Sequence, residues 1–133
     1  MKTVVTGGAG FIGSNLADAL LAAGHEVHVV DDLSTGHREN VPAGAVFHEE
    51  SVLDLDRLRE VFSGATTVYH QAALGSVPRS VDDPVRSNNV NADGTLNVLV
   101  AARDGGVEKV VYAASSSAYG DTLTLPKVEE MTP

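Results

Sequence analysis

Three spaced glycines near the amino terminus constrain this chain more than any other feature. They lie in Thr6-Gly7-Gly8-Ala9-Gly10-Phe11-Ile12-Gly13, with the spacing G-x-x-G-x-x-G. The apolar run Thr3-Val4-Val5 comes before them and predicts a buried strand. The segment after them predicts one apolar helix face, formed by Ile12, Leu16, Ala19, Leu20 and Ala23. A strand that turns into a helix exposes unpaired N–H groups at the positive end of the helix dipole, which suits a phosphate.

Each glycine has a separate expected role in such a turn. Gly7 lets the chain turn sharply, Gly10 leaves the backbone open to a pyrophosphate, and Gly13 lets the helix pack close to the strand. A glycine-rich turn without a ligand is the alternative interpretation. The strand before the glycines and the helix after them favour a nucleotide site.

An acidic pair, Asp31-Asp32, ends the second predicted strand, which covers residues 26–30. In a dinucleotide-binding βαβ unit, a carboxylate here accepts hydrogen bonds from the adenosine ribose and repels a 2′-phosphate. The separation in sequence between Gly13 and Asp31 is close to the roughly 20 residues expected between the glycines and that carboxylate. An acidic loop residue is the alternative, and the glycines upstream favour the ribose role. The sequence therefore predicts NAD rather than NADP.

Strands and helices alternate along the rest of the chain. The other predicted strands cover residues 45–47, 66–70 and 109–114, and the other predicted helices cover 54–62, with Asp54 as N-cap, and 84–103, with Asp83 as N-cap. This alternation predicts an α/β fold, a doubly wound parallel sheet of the Rossmann type with strand order 3-2-1-4-5 and helices on both faces. Residues 1–133 are expected to form one NAD-binding domain.

Composition excludes several other classes of function. The chain has no cysteine, so it has neither a disulfide framework nor a thiolate metal site, and its histidines lack metal-ligand spacing. Its net charge of −9 disfavours nucleic acid as a partner. No apolar run approaches the roughly 20 residues that span a bilayer, and no leader segment is evident. We expect a cytoplasmic protein that binds neither membranes nor a metal.

Polar residues at the ends of the later strands are further candidates. Ser115-Ser116-Ser117 leaves the fifth predicted strand and could offer hydroxyls to a ligand, although a plain serine-rich turn is the alternative. His70 is predicted to be structural. In the four acidic pairs, 31–32, 49–50, 82–83 and 129–130, every residue except Asp31 is predicted to be a surface residue or a cap. Asn91 lies in the long helix and needs a partner, so we expect it to fix backbone near the fifth strand or a cofactor.

Several of these motifs together resemble the extended short-chain dehydrogenase/reductase family, and within it the NAD-dependent nucleotide-sugar epimerases and dehydratases. The motifs are residues 6–13, 31–36, 70–73, 91–95 and 115–120. The loop 72–80 and the segment 125–129 are most similar to the 4-epimerases of UDP-N-acetylglucosamine and UDP-glucose. In that group, NAD removes a hydride from C4 of the sugar and returns it to the other face.

The resemblance implies a role for many residues. The pyrophosphate of NAD would lie at Gly7, Gly10, Phe11, Ile12 and Gly13. The adenosine would be held by Asp31, Asp32, Ser34, Thr35, Gly36, Ser51 and Val52. The middle of the cofactor would be lined by Gln71, Ala72, Ala73 and Asn91. Ser115 would be the catalytic serine, and the UDP-sugar would face Ser76, Val77, Ser116 and Ser117.

The family's catalytic Tyr-x-x-x-Lys motif does not occur in this sequence. We therefore expect the chain to be the N-terminal part of an epimerase, without the helix that carries this motif and without the sugar-nucleotide domain. The parent is expected to be a homodimer. A dehydratase or reductase of the same family is one alternative. A non-catalytic NAD-binding module is an alternative of another class.

Overall fold

Five parallel strands form one sheet in the computed structural model, which describes residues 1–132. The strands are β1 (Lys2–Thr6), β2 (Glu26–Asp31), β3 (Val46–Glu49), β4 (Thr67–His70) and β5 (Lys109–Tyr112). Their order in the sheet is β3-β2-β1-β4-β5, and every neighbouring pair is parallel. The predicted fold class and strand order are confirmed.

The helices are α1 (Phe11–Ala22), α2 (Leu55–Phe62), α3 (Val77–Asp82), α4 (Pro84–Asn88) and α5 (Gly94–Asp104). As predicted, the Asp54 side chain caps α2 by accepting a hydrogen bond from the Arg57 N–H at 3.1 Å. Within residues 1–132, none of the helices combines the length and the hydropathy that a bilayer-crossing helix needs.

The long helix predicted over residues 84–103 is present, but a π-helical turn, Asn89–Asp93, divides it into α4 and α5. The helix α3, which precedes Asp83, was not predicted. Asp83 has the non-helical angles φ −135° and ψ 75°, which end α3. Its carboxylate then caps α4 by accepting a hydrogen bond from the Arg86 N–H at 3.1 Å, as predicted.

Both faces of the sheet are buried under helices. On one face, Val4, Val30 and Val68 belong to a core with residues of α2 and α5. On the other face, Val5, Val27 and Val29 belong to a core with residues of α1. Central strands that are apolar on both faces are typical of parallel sheets covered by helices, so the predicted two-sided packing is confirmed.

The apolar face predicted for α1 is largely wrong. The buried residues of the helix are Gly13, Ser14, Ala17 and Leu20, whereas Ala19 and Ala23 are exposed and Ile12 is 67% exposed. The contact of Gly13 with the turn after β1 determines this rotation. A Cβ built on Gly13 would lie 2.2 Å from the Gly7 carbonyl oxygen. The Gly13 side of the helix therefore faces the sheet. Of the predicted face, Leu20 is buried and Leu16 is half-buried against the same core.

We predict that Gly13→Ala lowers the free energy of unfolding by about 2–3 kcal/mol, because the new methyl group cannot fit against the Gly7 backbone. Urea denaturation followed by circular dichroism measures this change. The matched control is Gly75→Ala, since among the described residues no atom lies within 4 Å of a Cβ built there. The control should stay within about 0.5 kcal/mol of the native chain. Equal stability of the two variants would contradict the packing argument.

Candidate functional site

A crevice lies at the carboxyl ends of β1 and β4, where the order of the strands reverses. The part beside the end of β2, called here the β2 cleft, is lined by Val30, Asp31, Asp32, Ser34, Thr35, Glu50, Val52, Ala72, Ala73, Leu74 and Val90. The part beside the end of β5, called here the β5 cleft, has a volume of about 440 Å³. It is lined by His70, Gln71, Ala72, Ala73, Gly75, Asn91, Thr95, Tyr112, Ala113, Ala114 and Ser115. Ala72 and Ala73 line both clefts, so the two parts adjoin each other at this segment.

The glycine turn brings β1, β4 and α1 together at this crevice. Gly7 has φ +71°, which glycine adopts at little cost, and a Cβ built there would lie 2.6 Å from the Ala72 nitrogen. Gly10 caps α1, and its carbonyl accepts the Ser14 N–H at 3.0 Å. This is the first hydrogen bond of the helix, and the N–H groups of residues 11–13 come before it in the first helical turn. Phe11 and Ile12 are 84% and 67% exposed, so this helix start is accessible to a ligand.

Asp31 links the end of β2 to the glycine turn. Its Oδ2 accepts a hydrogen bond from the Ala9 N–H at 3.0 Å, and its Oδ1 accepts one from the Leu33 N–H at 2.9 Å. The residue is half-buried and lines the β2 cleft. A carboxylate has about four lone-pair positions, so two remain for further donors. The predicted placement of Asp31 beside the glycines is confirmed.

The loop after β2 packs on the glycine turn. Gly36 is so close that a Cβ built there would lie 2.8 Å from atoms of Ala9. The Ala9 carbonyl accepts hydrogen bonds from the His37 N–H at 3.0 Å and the Asn40 Nδ2 at 2.9 Å. Ser34 and Thr35 line the β2 cleft, and Asp32 Oδ1 accepts the Ser34 N–H at 3.0 Å. The structure therefore brings residues 31–36 together with the glycines.

On the β3 side of the β2 cleft, the sequence prediction was incomplete. Val52 is buried and lines the cleft, whereas the Ser51 hydroxyl accepts the Leu53 N–H at 3.2 Å in a local turn. Glu50 was predicted to be a surface residue, but it is half-buried, lines the cleft and accepts a hydrogen bond from Arg57 Nε at 2.9 Å. That bond raises the pKa of the Arg57 guanidinium above its ordinary value. The sequence feature that could have identified Glu50 as a cleft residue is its position directly after β3, next to the end of β2.

The segment after β4 is attached to β1 and to the π-helical turn. Gln71 donates its N–H to the Thr6 carbonyl at 3.1 Å. Asn91 holds Leu74 twice, since its Oδ1 accepts the Leu74 N–H at 2.8 Å and its Nδ2 donates to the Leu74 carbonyl at 3.2 Å. Asn91 thus fixes backbone after β4 and also lines the β5 cleft, while its predicted contact with the cofactor stays a prediction. His70 is buried and structural as predicted, and its burial lowers the pKa of the imidazole.

The serines after β5 are divided between the cleft and the surface. Ser115 lines the β5 cleft, and its Oγ accepts the Ser117 N–H at 3.2 Å, which caps the short 3₁₀ turn Ser116–Tyr119. Ser116 and Ser117 are exposed on that turn. Ser76 and Val77 start α3 just after Gly75, which lines the cleft. The structure therefore gathers Ser115 with Gln71, Ala72, Ala73 and Asn91, while the roles predicted for the other four residues stay predictions.

Residues 3–133 match the family model described as "NAD dependent epimerase/dehydratase family". A UDP-glucose 4-epimerase of Streptomyces lividans is 42% identical over 131 residues, which cover 96% of this chain and 40% of that protein. Two crystal structures each cover 100% of this chain, and the alignment includes 44% of the length of each of those proteins. The UDP-glucose 4-epimerase of Thermotoga maritima, solved with UDP-glucose, has a TM-score of 0.92 at 38% identity. That of Thermus thermophilus, solved with NAD, has a TM-score of 0.89 at 45% identity.

The chain thus spans about 40% of the length of the curated relative. Its glycine turn, its Asp31 and its strand order agree with a dinucleotide-binding fold. The family match extends over almost the whole chain. The chain belongs to the NAD dependent epimerase/dehydratase family.

Proposed function

We propose that this chain is the N-terminal, cofactor-binding part of an NAD-dependent UDP-sugar 4-epimerase. The observation that carries the proposal is the hydrogen bond from the Ala9 N–H to Asp31, which puts a carboxylate beside an exposed helix start. A helix start suits a diphosphate and the carboxylate suits a ribose, and both groups occur in NAD. The similarity to UDP-glucose 4-epimerases supports the same assignment.

The residues of the crevice fit NAD in their chemistry. Gly7 and Gly13 have no room for side chains, which lets the first turn of α1 pack against the end of β1. The exposure of Phe11 and Ile12 leaves this helix start accessible to a diphosphate. Asp31 has two lone-pair positions left for the ribose hydroxyls. The β2 cleft offers apolar walls, including Val30 and Val52, to the adenine ring. When bound, NAD supplies the acceptance and return of the hydride that inversion at C4 requires.

Ser115 is the residue of this chain that we assign to the sugar. Its hydroxyl lies at the end of β5 and lines the cleft that Asn91 and Gln71 also line. There it would hold a proton at the substrate's C4 oxygen, next to the tyrosine of a Tyr-x-x-x-Lys segment outside this sequence. The roles of Ser76, Val77, Ser116 and Ser117 toward the sugar, the homodimer and the cytoplasmic location stay predictions.

We predict that the chain binds NAD at least about tenfold more tightly than NADP, because the Asp31 charge opposes a 2′-phosphate. Calorimetric titration of the native chain with both cofactors measures the ratio. Asp31→Asn keeps the size of the side chain but removes its charge, and it should bring the two affinities closer together. Asp18→Asn, which removes one charge from the exposed side of α1, is the control and should leave the ratio unchanged. Equal native affinities for NAD and NADP would refute the assignment.

We predict that Ser115→Ala lowers kcat of the full-length protein by about 10²–10⁴-fold, since positioned acid–base groups contribute that much to rates. The assay incubates the protein with UDP-glucose or UDP-N-acetylglucosamine and separates the products. NAD binding should persist in the variant, because Ser115 lies in the β5 cleft, away from Asp31. Ser80→Ala, on the exposed face of α3, is the control.

The products of the native protein also separate the candidate functions. A C4 epimer supports the epimerase. A dehydrated or reduced sugar would identify a dehydratase or reductase of the same family instead. NAD binding without turnover of any sugar nucleotide would identify a non-catalytic module. A near-native kcat in the Ser115 variant would remove the catalytic role from this serine.

A further inference from the structure

His70 is a buried histidine that joins three elements at the crevice. It is the last residue of β4 and is only 5% exposed. Its Nδ1 lies 2.6 Å from the hydroxyl of Thr6, the fully buried last residue of β1. Its Nε2 lies 3.0 Å from the hydroxyl of Thr95 on α5. Both ring nitrogens are therefore engaged by hydroxyl groups from different elements.

The partners of these hydroxyls determine where the protons lie. Thr95 donates its hydroxyl proton to the Asn91 carbonyl at 2.7 Å, so its oxygen must accept a hydrogen bond from His70 Nε2–H. The ring is buried and both of its partners are neutral hydroxyls, so the neutral form is favoured over the imidazolium. With the ring proton on Nε2, the bare Nδ1 accepts the Thr6 hydroxyl proton, while the Thr6 oxygen accepts the Ala72 N–H at 3.3 Å. The network thus fits a neutral imidazole with its proton on Nε2.

The same network determines the position of the segment 71–74, which lines both clefts. One end of this segment is held to β1, through the Thr6 hydroxyl that His70 orients. The other end is held by Asn91, whose side chain bonds the Leu74 backbone at 2.8 and 3.2 Å. Asn91 lies in the π-helical turn, a feature that often marks functional sites. The Asn91 carbonyl accepts the Thr95 hydroxyl proton, and Thr95 in turn contacts His70. Both attachments of the segment 71–74 are therefore connected to His70 through hydrogen bonds.

We propose that His70 is a positioning residue for the cofactor crevice. As a neutral Nε2–H imidazole, it holds the segment 71–74 against the glycine turn. The fit there is tight, since a Cβ on Gly7 would come within 2.6 Å of the Ala72 nitrogen. A displaced segment would change the width of the crevice where NAD is expected to bind. The inference rests on the proposed function for the identity of this ligand.

The first test is nitrogen NMR of the histidine side chains in the native chain, with His70 assigned by comparison with His70→Asn. The expected spectrum shows His70 with a protonated Nε2 and a bare Nδ1 at neutral pH, both before and after addition of NAD. A proton on Nδ1, or an imidazolium, would overturn the inference. A purely space-filling role would not require one tautomer, so this signature separates positioning from packing.

The second test compares NAD affinity in two variants. His70→Asn keeps an acceptor at the position of Nδ1 for the Thr6 hydroxyl, whereas His70→Leu removes both polar contacts. We expect His70→Leu to weaken NAD binding about tenfold and His70→Asn to stay within about threefold of the native chain. Hydrogen exchange of the Ala72 N–H should accelerate in the leucine variant and much less in the asparagine variant. His28→Asn, the same change on β2, is the control and should leave NAD binding unchanged.

Native NAD affinity in a folded His70→Leu variant would overturn the proposal. If the leucine variant does not fold, the nitrogen spectrum of the native ring and the NAD affinity of the asparagine variant test the proposal. A tenfold loss of NAD affinity in His70→Asn would then contradict it, because that variant keeps the acceptor for the Thr6 hydroxyl. If the native chain does not bind NAD, the proposed function fails. In that case the His70 tautomer and the exchange of Ala72 still support or refute the positioning role.

Discussion

Gly13 and Gly7 approach so closely that a Cβ on Gly13 would lie 2.2 Å from the Gly7 carbonyl oxygen. Gly7 also donates its N–H to the Val30 carbonyl at 2.8 Å and lies against the backbone of Ala72. One backbone turn thus contacts α1, β2 and the segment after β4. The close packing of these elements depends on the absence of side chains there. Close packing of the backbone thus forms this part of the crevice without a ligand.

The electrostatics of the crevice explain how an acidic chain can hold a diphosphate. The net charge is −9, and Asp31, Asp32 and Glu50 line the β2 cleft. Attraction toward phosphate must therefore come from backbone N–H groups at the start of α1 and from the helix dipole, which act over the first turn only. The carboxylates instead suit hydroxyl donors. In the proposed complex, this division of charge would place the diphosphate at the start of α1 and the ribose at the carboxylates.

Much of the fold was predictable because it depends on local sequence patterns. Alternating strands and helices, glycine spacing and an acidic strand end were sufficient for the strand order and for the placement of Asp31. The buried face of α1 was not predictable from apolar spacing, since the contact of Gly13 with Gly7 overrides it. The π-helical turn was missed because its determinants, the bonds from Asn91 to Leu74 and from Thr95 to Asn91, depend partly on tertiary contact. Glu50 was missed because its environment depends on strand pairing.

The most direct measurement of the central claim is an amide NMR titration of the chain with NAD. The account predicts that the largest shifts fall on the N–H groups of residues 10–13 at the start of α1, with further shifts at residues 31–36. ADP-ribose should shift the same amides, since it carries the same diphosphate and adenosine. Shifts confined to the outer surfaces of α3 and α4, or no shifts at millimolar NAD, would contradict the assignment of the glycine turn as the cofactor site.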